Sequence, residues 1–163
     1  MQTACNRLKL GGSVTLEIRE VPVMKIVDDP DFMALVQSNW EECANKAMGT
    51  AKPDRAQYQR LQDCGFIKAA AAYCDGKLVG GVSVMITPYA HFSRMGACVE
   101  SLHLLPEYRK QGGGLKLLKA ARKLAKDAGA TGLYVTAPAG SRLERLARLK
   151  GWRHTNTVFF LEL

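Results

Sequence analysis

Residues 13–21, SVTLEIREV, alternate Val14, Leu16 and Ile18 with Thr15, Glu17 and Arg19, the period-two pattern of a half-buried strand. Helical spacing follows. Phe32, Leu35, Val36, Cys43 and Ala44 recur along one side of the next segment, with Trp40 one step off the stripe. Asp29 can cap this helix, Pro30 suits its first turn, and Gly49 suits its C-terminal stop. A shorter helix is expected between Pro53 and Gly65, carrying Tyr58 and Leu61 inward. Next, FIKAAAAYC and LVGGVSVMIT flank Asp75-Gly76-Lys77, and Asp-Gly between two apolar runs signals a hairpin. The alanines alone would favour a helix, but the turn and the β-branched partner run favour a strand. The loop PYAHFSRMG leads to ACVESLHLL, expected to pair antiparallel with its predecessor.

Beyond residue 105 the meander becomes an alternation. Leu115, Leu118, Ala121, Leu124, Ala125 and Ala128 mark the buried side of a helix, and Lys116, Lys119, Arg122, Lys123 and Lys126 mark the other. Gly129 ends it, and TGLYVTA reads as a strand parallel to the one ending at Leu105, reached by a right-handed crossover. SRLERLARLK is a last helix and TNTVFFLEL a terminal strand. The order β-αα-βββ-α-β-α-β predicts an α/β (α+β) fold in one domain, a mixed central sheet flanked by helices. Residues 1–12 read as a polar arm ahead of a domain over 13–163.

The totals narrow the function. A chain of 163 residues has the size of a single domain. Its five cysteines are odd in number and form no CxxC pair, and its three histidines lie far apart. Neither a disulfide frame nor a metal site is expected, and reduced thiols suit a cytoplasmic protein. No apolar run is long enough to span a membrane, and the first residues lack the pattern of a secretory signal, so no membrane partner is expected. Residues 107–153 carry 12 Lys/Arg against 3 Asp/Glu, while the remainder carries 11 against 12. The net +8 therefore gathers in one segment, which implies a polyanionic ligand there.

That segment opens with Arg109-Lys110-Gln111-Gly112-Gly113-Gly114, between a strand end and a helix start. A helix N-terminus offers unpaired N–H groups to phosphate, and glycine lets phosphate oxygens come close. Two nucleotide loops are excluded: no Gly-Lys-Ser/Thr occurs, and Leu117 stands where GxGxxG needs its last glycine. What remains is RxxGxG. This motif and its setting, SLHLLPEYRKQGGGLKLL, resemble the pyrophosphate loop of the GNAT family of N-acetyltransferases, and ARLKGW resembles the ending of that family's last helix. The resemblance is specific over residues 99–118 and covers the element order from residue 13 onward. It implies acetyl-CoA as co-substrate. Its pyrophosphate would rest on the N–H groups of Arg109, Lys110, Gln111, Gly112, Gly113, Gly114 and Leu115. Its pantetheine arm would pair with the backbone near Leu104 and Leu105, and Ser141 could contact it.

Transfer of an acyl group from a thioester to an amine needs a base, a held carbonyl oxygen and a protonated leaving thiolate. Glu100 is the only carboxylate of residues 78–105, and desolvation in that apolar tract would raise its pKa toward neutrality. His103 is the alternative base. The two point to opposite faces of a regular strand, so joint action would need a bulge. Tyr89 and His91 are candidates for the acceptor side. Where family members carry a general-acid Tyr, this chain has Ala147, leaving Tyr134, Tyr73 or water for that task. The reading is thus an N-acetyltransferase acting directly on a primary amine of a small molecule or protein. Its alternative is a catalytically silent acyl-CoA-binding relative. A nucleic-acid module is disfavoured, because aromatic residues do not interleave with the cations. The resemblance also allows a homodimer.

Overall fold

Val21 and Pro22 end the first strand, and Pro22 sets the entry of a one-and-a-half-turn helix whose Val23, Met24 and Ile26 are buried. The computed structural model describes residues 15–43 and 48–162, so the polar arm at 1–12, the start of the first strand and Ala44 lie outside the described residues. In chain order the elements are β1 (Glu17–Val21), α1 (Val23–Val27), α2 (Phe32–Cys43), α3 (Arg55–Asp63), β2 (Ile67–Cys74), β3 (Lys77–Tyr89), β4 (Arg94–Leu104), α4 (Gly113–Asp127), β5 (Leu133–Tyr134) and α5 (Arg142–Leu149). The expected helix pair between the first two strands is therefore three helices. α1 is too short for its period to show in sequence.

The sheet is ordered β1-β2-β3-β4-β5, antiparallel through β4, with β5 parallel to β4, and so is mixed. The β2–β3 turn forms at Asp75 and Gly76, both with positive φ, as its Asp-Gly dipeptide demands. Ala69, Ala70, Ala71 and Ala72 are all buried in β2, because helices cover both faces of the sheet and small side chains let them approach. On one face α4 lays Leu117, Ala121, Leu124 and Ala125 against Ala70, Val79, Val82 and Val84. On the other, α1 and α2 cover Ile67, Ala69, Ala71 and Leu78, with Tyr58 and Leu61 of α3 packed against this cluster. Each large apolar side chain so buried contributes about 1.5–3 kcal/mol.

Three departures from the sequence reading follow, and the first two shape the cleft. β5 has only two paired residues, Leu133 and Tyr134, opposite Ala97 and Cys98. The β3–β4 register shifts so that Ser83 faces Ser101 and Val84 faces Val99, leaving Glu100 as the extra residue of a bulge. A bulge bends its strand, and beyond Cys98 no described strand pairs with the outer edge of β4. The third departure is the terminal segment. Residues 155–162 form no strand, and Val158 (73% exposed) and Phe159 (88%) stand in solvent. A two-residue β5 offers too little edge for that strand to pair with.

Candidate active site

The loop is built by what each residue meets. Leu104 ends β4, Pro106 starts a tight turn through Tyr108, and a second turn through Gly112 delivers the chain to α4. Gly112 has φ +78°, a conformation a side chain would strain. A Cβ on Gly113 would lie 2.6 Å from Leu104 Cδ2 and 2.8 Å from the Tyr108 carbonyl oxygen. A Cβ on Gly114 would meet nothing within 4 Å. Gly113 thus seats the helix against β4, while space lies open beside Gly114. No side chain caps α4, so the N–H groups of its first turn have no side-chain acceptor. Leu115, Lys116 and Lys119 follow, exposed. Uncapped donors, open space and the free outer edge of β4 fit a diphosphate with an extended arm, the shape of a coenzyme A ester.

Arg109 does not stand loose at the loop. Its Nη1 and Nη2 donate to the two carboxylate oxygens of Glu42 at 2.5 Å each, and its Nε donates to the Leu104 carbonyl at 2.7 Å. One helical turn before Glu42, the Ser38 hydroxyl lies 3.0 Å from His103 Nε2. His103 is only 7% exposed. Burial first, then the Arg109 charge, hold its pKa below the ordinary imidazole value, with Glu42 opposing. Hydrogen bonding from Arg109 holds the Glu42 carboxyl below the usual range, and the charge of Arg142 on α5 adds to this. Ser141 caps α5, accepting from the Glu144 N–H at 3.1 Å.

Glu100 departs from its expected setting. The surrounding tract is apolar, but the bulge turns this carboxylate outward, and it is exposed. The buried setting expected from sequence is therefore not what the structure shows. The Ser83 hydroxyl donates to its Oε2. Ser83 and Glu100 stand on the face covered by α2 and α3, as does His103, so the bulge brings both candidate bases to one face. Tyr58 of α3, not singled out for chemistry from sequence, is near enough to feel the Glu100 charge. Burial, reinforced by that charge, pushes its phenol up to about 12. A tyrosine at helical spacing reads as core, and only the fold brings it to this carboxylate. Burial, with Glu100 second, likewise pushes the Cys98 thiol up, away from a nucleophilic thiolate.

Other candidates separate from this group. Tyr89 ends β3 and tilts against Tyr134 of β5 at 6.2 Å between ring centroids. His91 is exposed in the turn that follows. Both lie at the end of β4 away from the loop, roughly 30 Å along a strand rising about 3.3 Å per residue. Tyr73 is buried on β2, two strands from the cleft, with its hydroxyl unpaired, so it cannot serve the leaving group. Ala147 lies half-buried on α5 and brings no acid. A cavity of about 540 Å³, lined by Leu16, Glu17, Ile18, Tyr73 and Asp75 among others, shares no residue with the cleft. Among the described residues, no group of three or more His, Cys, Asp or Glu could hold a metal ion. No described helix is long and apolar enough to cross a membrane.

Known structures share this fold. An aminoglycoside acetyltransferase from an uncultured soil metagenomic sample superposes with TM-score 0.71 at 19% identity, over 91% of this chain and 99% of that one. A ribosomal-protein-alanine N-acetyltransferase from Brucella melitensis biovar Abortus 2308 does so with TM-score 0.65 at 18% identity, over 91% and 99%. The aminoglycoside N-acetyltransferase AAC(6')-Iy, solved with CoA, gives TM-score 0.69 at 17% identity, over 94% and 98%. No curated protein sequence matches the chain. The family model for the acetyltransferase (GNAT) family matches residues 30–152, three quarters of the sequence including the loop and the bulged strand. The chain therefore belongs to the GNAT acetyltransferase family.

Proposed function

We propose that the protein is an acetyl-CoA-dependent N-acetyltransferase that acetylates a primary amine of a small molecule or protein directly. One observation carries this reading: the uncapped start of α4, opened beside Gly114, adjoins the stretch of β4 whose outer edge no described strand covers. Main-chain N–H groups from Arg109 to Leu115 would hold the diphosphate. The backbone at Leu104 and Leu105 would line the pantetheine arm, and a backbone N–H near Leu104 would face the carbonyl oxygen. Acetyl-CoA supplies an activated acyl group and a thiolate leaving group.

Glu100 takes the proton of the arriving ammonium, directly or through water. Its exposure suits a base that exchanges protons with solvent, and Ser83 fixes its orientation. His103, neutral near pH 7 by its lowered pKa, is the second candidate, but its Ser38 partner and burial favour a positioning task. Tyr89 and His91 would act only on the distal part of a large acceptor. The aminoglycoside and ribosomal-protein acceptors in the names of the similar structures support an amine, without choosing between the two classes. We place the reaction in the cytoplasm, where reduced thiols and acetyl-CoA coexist. A homodimer belongs to the same reading, because the apolar residues 158–161 are exposed and a second copy would cover them.

Thiol release from acetyl-CoA with a panel of polyamines, aminoglycosides and amino-terminal peptides tests this function. Release dependent on one amine class supports it. A second reading, a cofactor-binding protein without turnover, is favoured by Ala147 at the acid position. CoA binding without release for any amine would select it.

A further inference from the structure

We propose that Glu42 is the positioning residue of the cofactor loop, clamping Arg109 so that occupancy of the loop is coupled to α2. This rests on the diphosphate reading above. Arg109 opens the RxxGxG motif, and a cation there invites assignment as a phosphate ligand. The geometry points elsewhere. Three of its guanidinium donors are committed, two to the Glu42 carboxylate and one to the Leu104 carbonyl. A bidentate pair fixes orientation as well as charge. One side chain thereby joins the end of β4, the turn before α4 and a helix 67 residues earlier in the chain. Arg109 is 30% and Glu42 42% exposed, so the pair is partly shielded from solvent screening.

The fork also settles the local charge. Without Arg109, the Glu42 carboxylate would stand near a site built for an anion. Without Glu42, the guanidinium would keep its bond to the Leu104 carbonyl but lose the bidentate tether to α2 that steadies the following turn. Ser38, on the same face of α2, meets His103 at 3.0 Å and gives the helix a second fastening to β4. Because α2 covers the face on which Glu100 stands, its fastenings link the cofactor end of the cleft to the acceptor side. Coupling of this kind is reciprocal: if α2 steadies the loop, a ligand on the loop steadies α2.

The test compares wild type with Glu42→Gln, which keeps the size and removes the charge, and with Glu42→Asp. Binding of CoA is measured by calorimetry, and binding of pantetheine, which lacks the diphosphate, by titration NMR. Glu42→Gln is expected to weaken CoA by about tenfold, a loss at least about fivefold greater than for pantetheine, with Glu42→Asp recovering part of it. Saturating CoA should slow amide exchange in residues 38–43 of the wild type and not of Glu42→Gln. CoA affinity unchanged or tighter in Glu42→Gln overturns the inference, as does equal weakening of both ligands. If the glutamine variant does not fold, the aspartate variant is judged by the same comparison. Wild type that fails to bind CoA removes the proposed function and this inference together. Wild type that binds CoA beside an unaffected variant removes the inference alone.

Discussion

Gly113 and Gly114 are adjacent, yet their surroundings predict opposite responses to one methyl group. Gly113→Ala drives a Cβ into the Tyr108 carbonyl and the Leu104 side chain, so thermal unfolding should show a loss of about 1–3 kcal/mol. Gly114→Ala meets open space and gains helix propensity, so stability should hold or rise by up to about 1 kcal/mol. Its methyl group enters the space assigned to phosphate, and CoA affinity should fall at least about tenfold by calorimetry. Glu100→Gln should retain CoA affinity and lower turnover by about a hundredfold near neutral pH, less at alkaline pH where the amine is already neutral. His103 gives a stability signature. Its folded pKa lies below the unfolded value near 6.5, so the unfolded chain binds more protons. Stability from its neutral form is present above about pH 6.5 and is lost as pH falls through the folded pKa. Melting curves of wild type should slope down over that window, and His103→Asn should flatten the slope.

At the level of elements, local chemistry was legible where it is strong. Asp75-Gly76 announced its hairpin, and the spacing of Leu118, Ala121 and Leu124 the buried face of α4. The bulge at Glu100 was not legible, because it is a property of the pairing with β3 and leaves no residue signature of its own. It changed the site most. It exposes the carboxylate expected to be buried and brings it to the face of His103, just beyond the last pairing of β4 with β5. The clamp on Arg109 was hidden for a related reason, since its partner lies on a helix far away in sequence. The terminal run TVFFL reads as a strand by composition, and what it lacks is an edge to join. Removing residues 155–163 should therefore leave the melting temperature within a few degrees while lowering any self-association seen by light scattering.

Considered whole, the molecule places a nearly charge-balanced, apolar half, β1 to β4 with α1–α3, beside a basic segment that starts at the loop. Charge of one sign around a cleft attracts a polyanion and weakens with salt. Part of the basic face is already spent, as Lys123 pairs with Glu20 and Asp127, so only the cations near the loop are expected to matter for CoA. Lys116→Ala and Lys119→Ala should reduce the salt dependence of CoA binding more than Lys126→Ala does. The central claim is that main-chain amides at the start of α4 grip a diphosphate. Amide NMR during titration with CoA tests it most directly. The account predicts that the Gly112, Gly113, Gly114 and Leu115 amides shift most, and far less when pantetheine replaces CoA. Saturation by CoA with those four amides unmoved would contradict it.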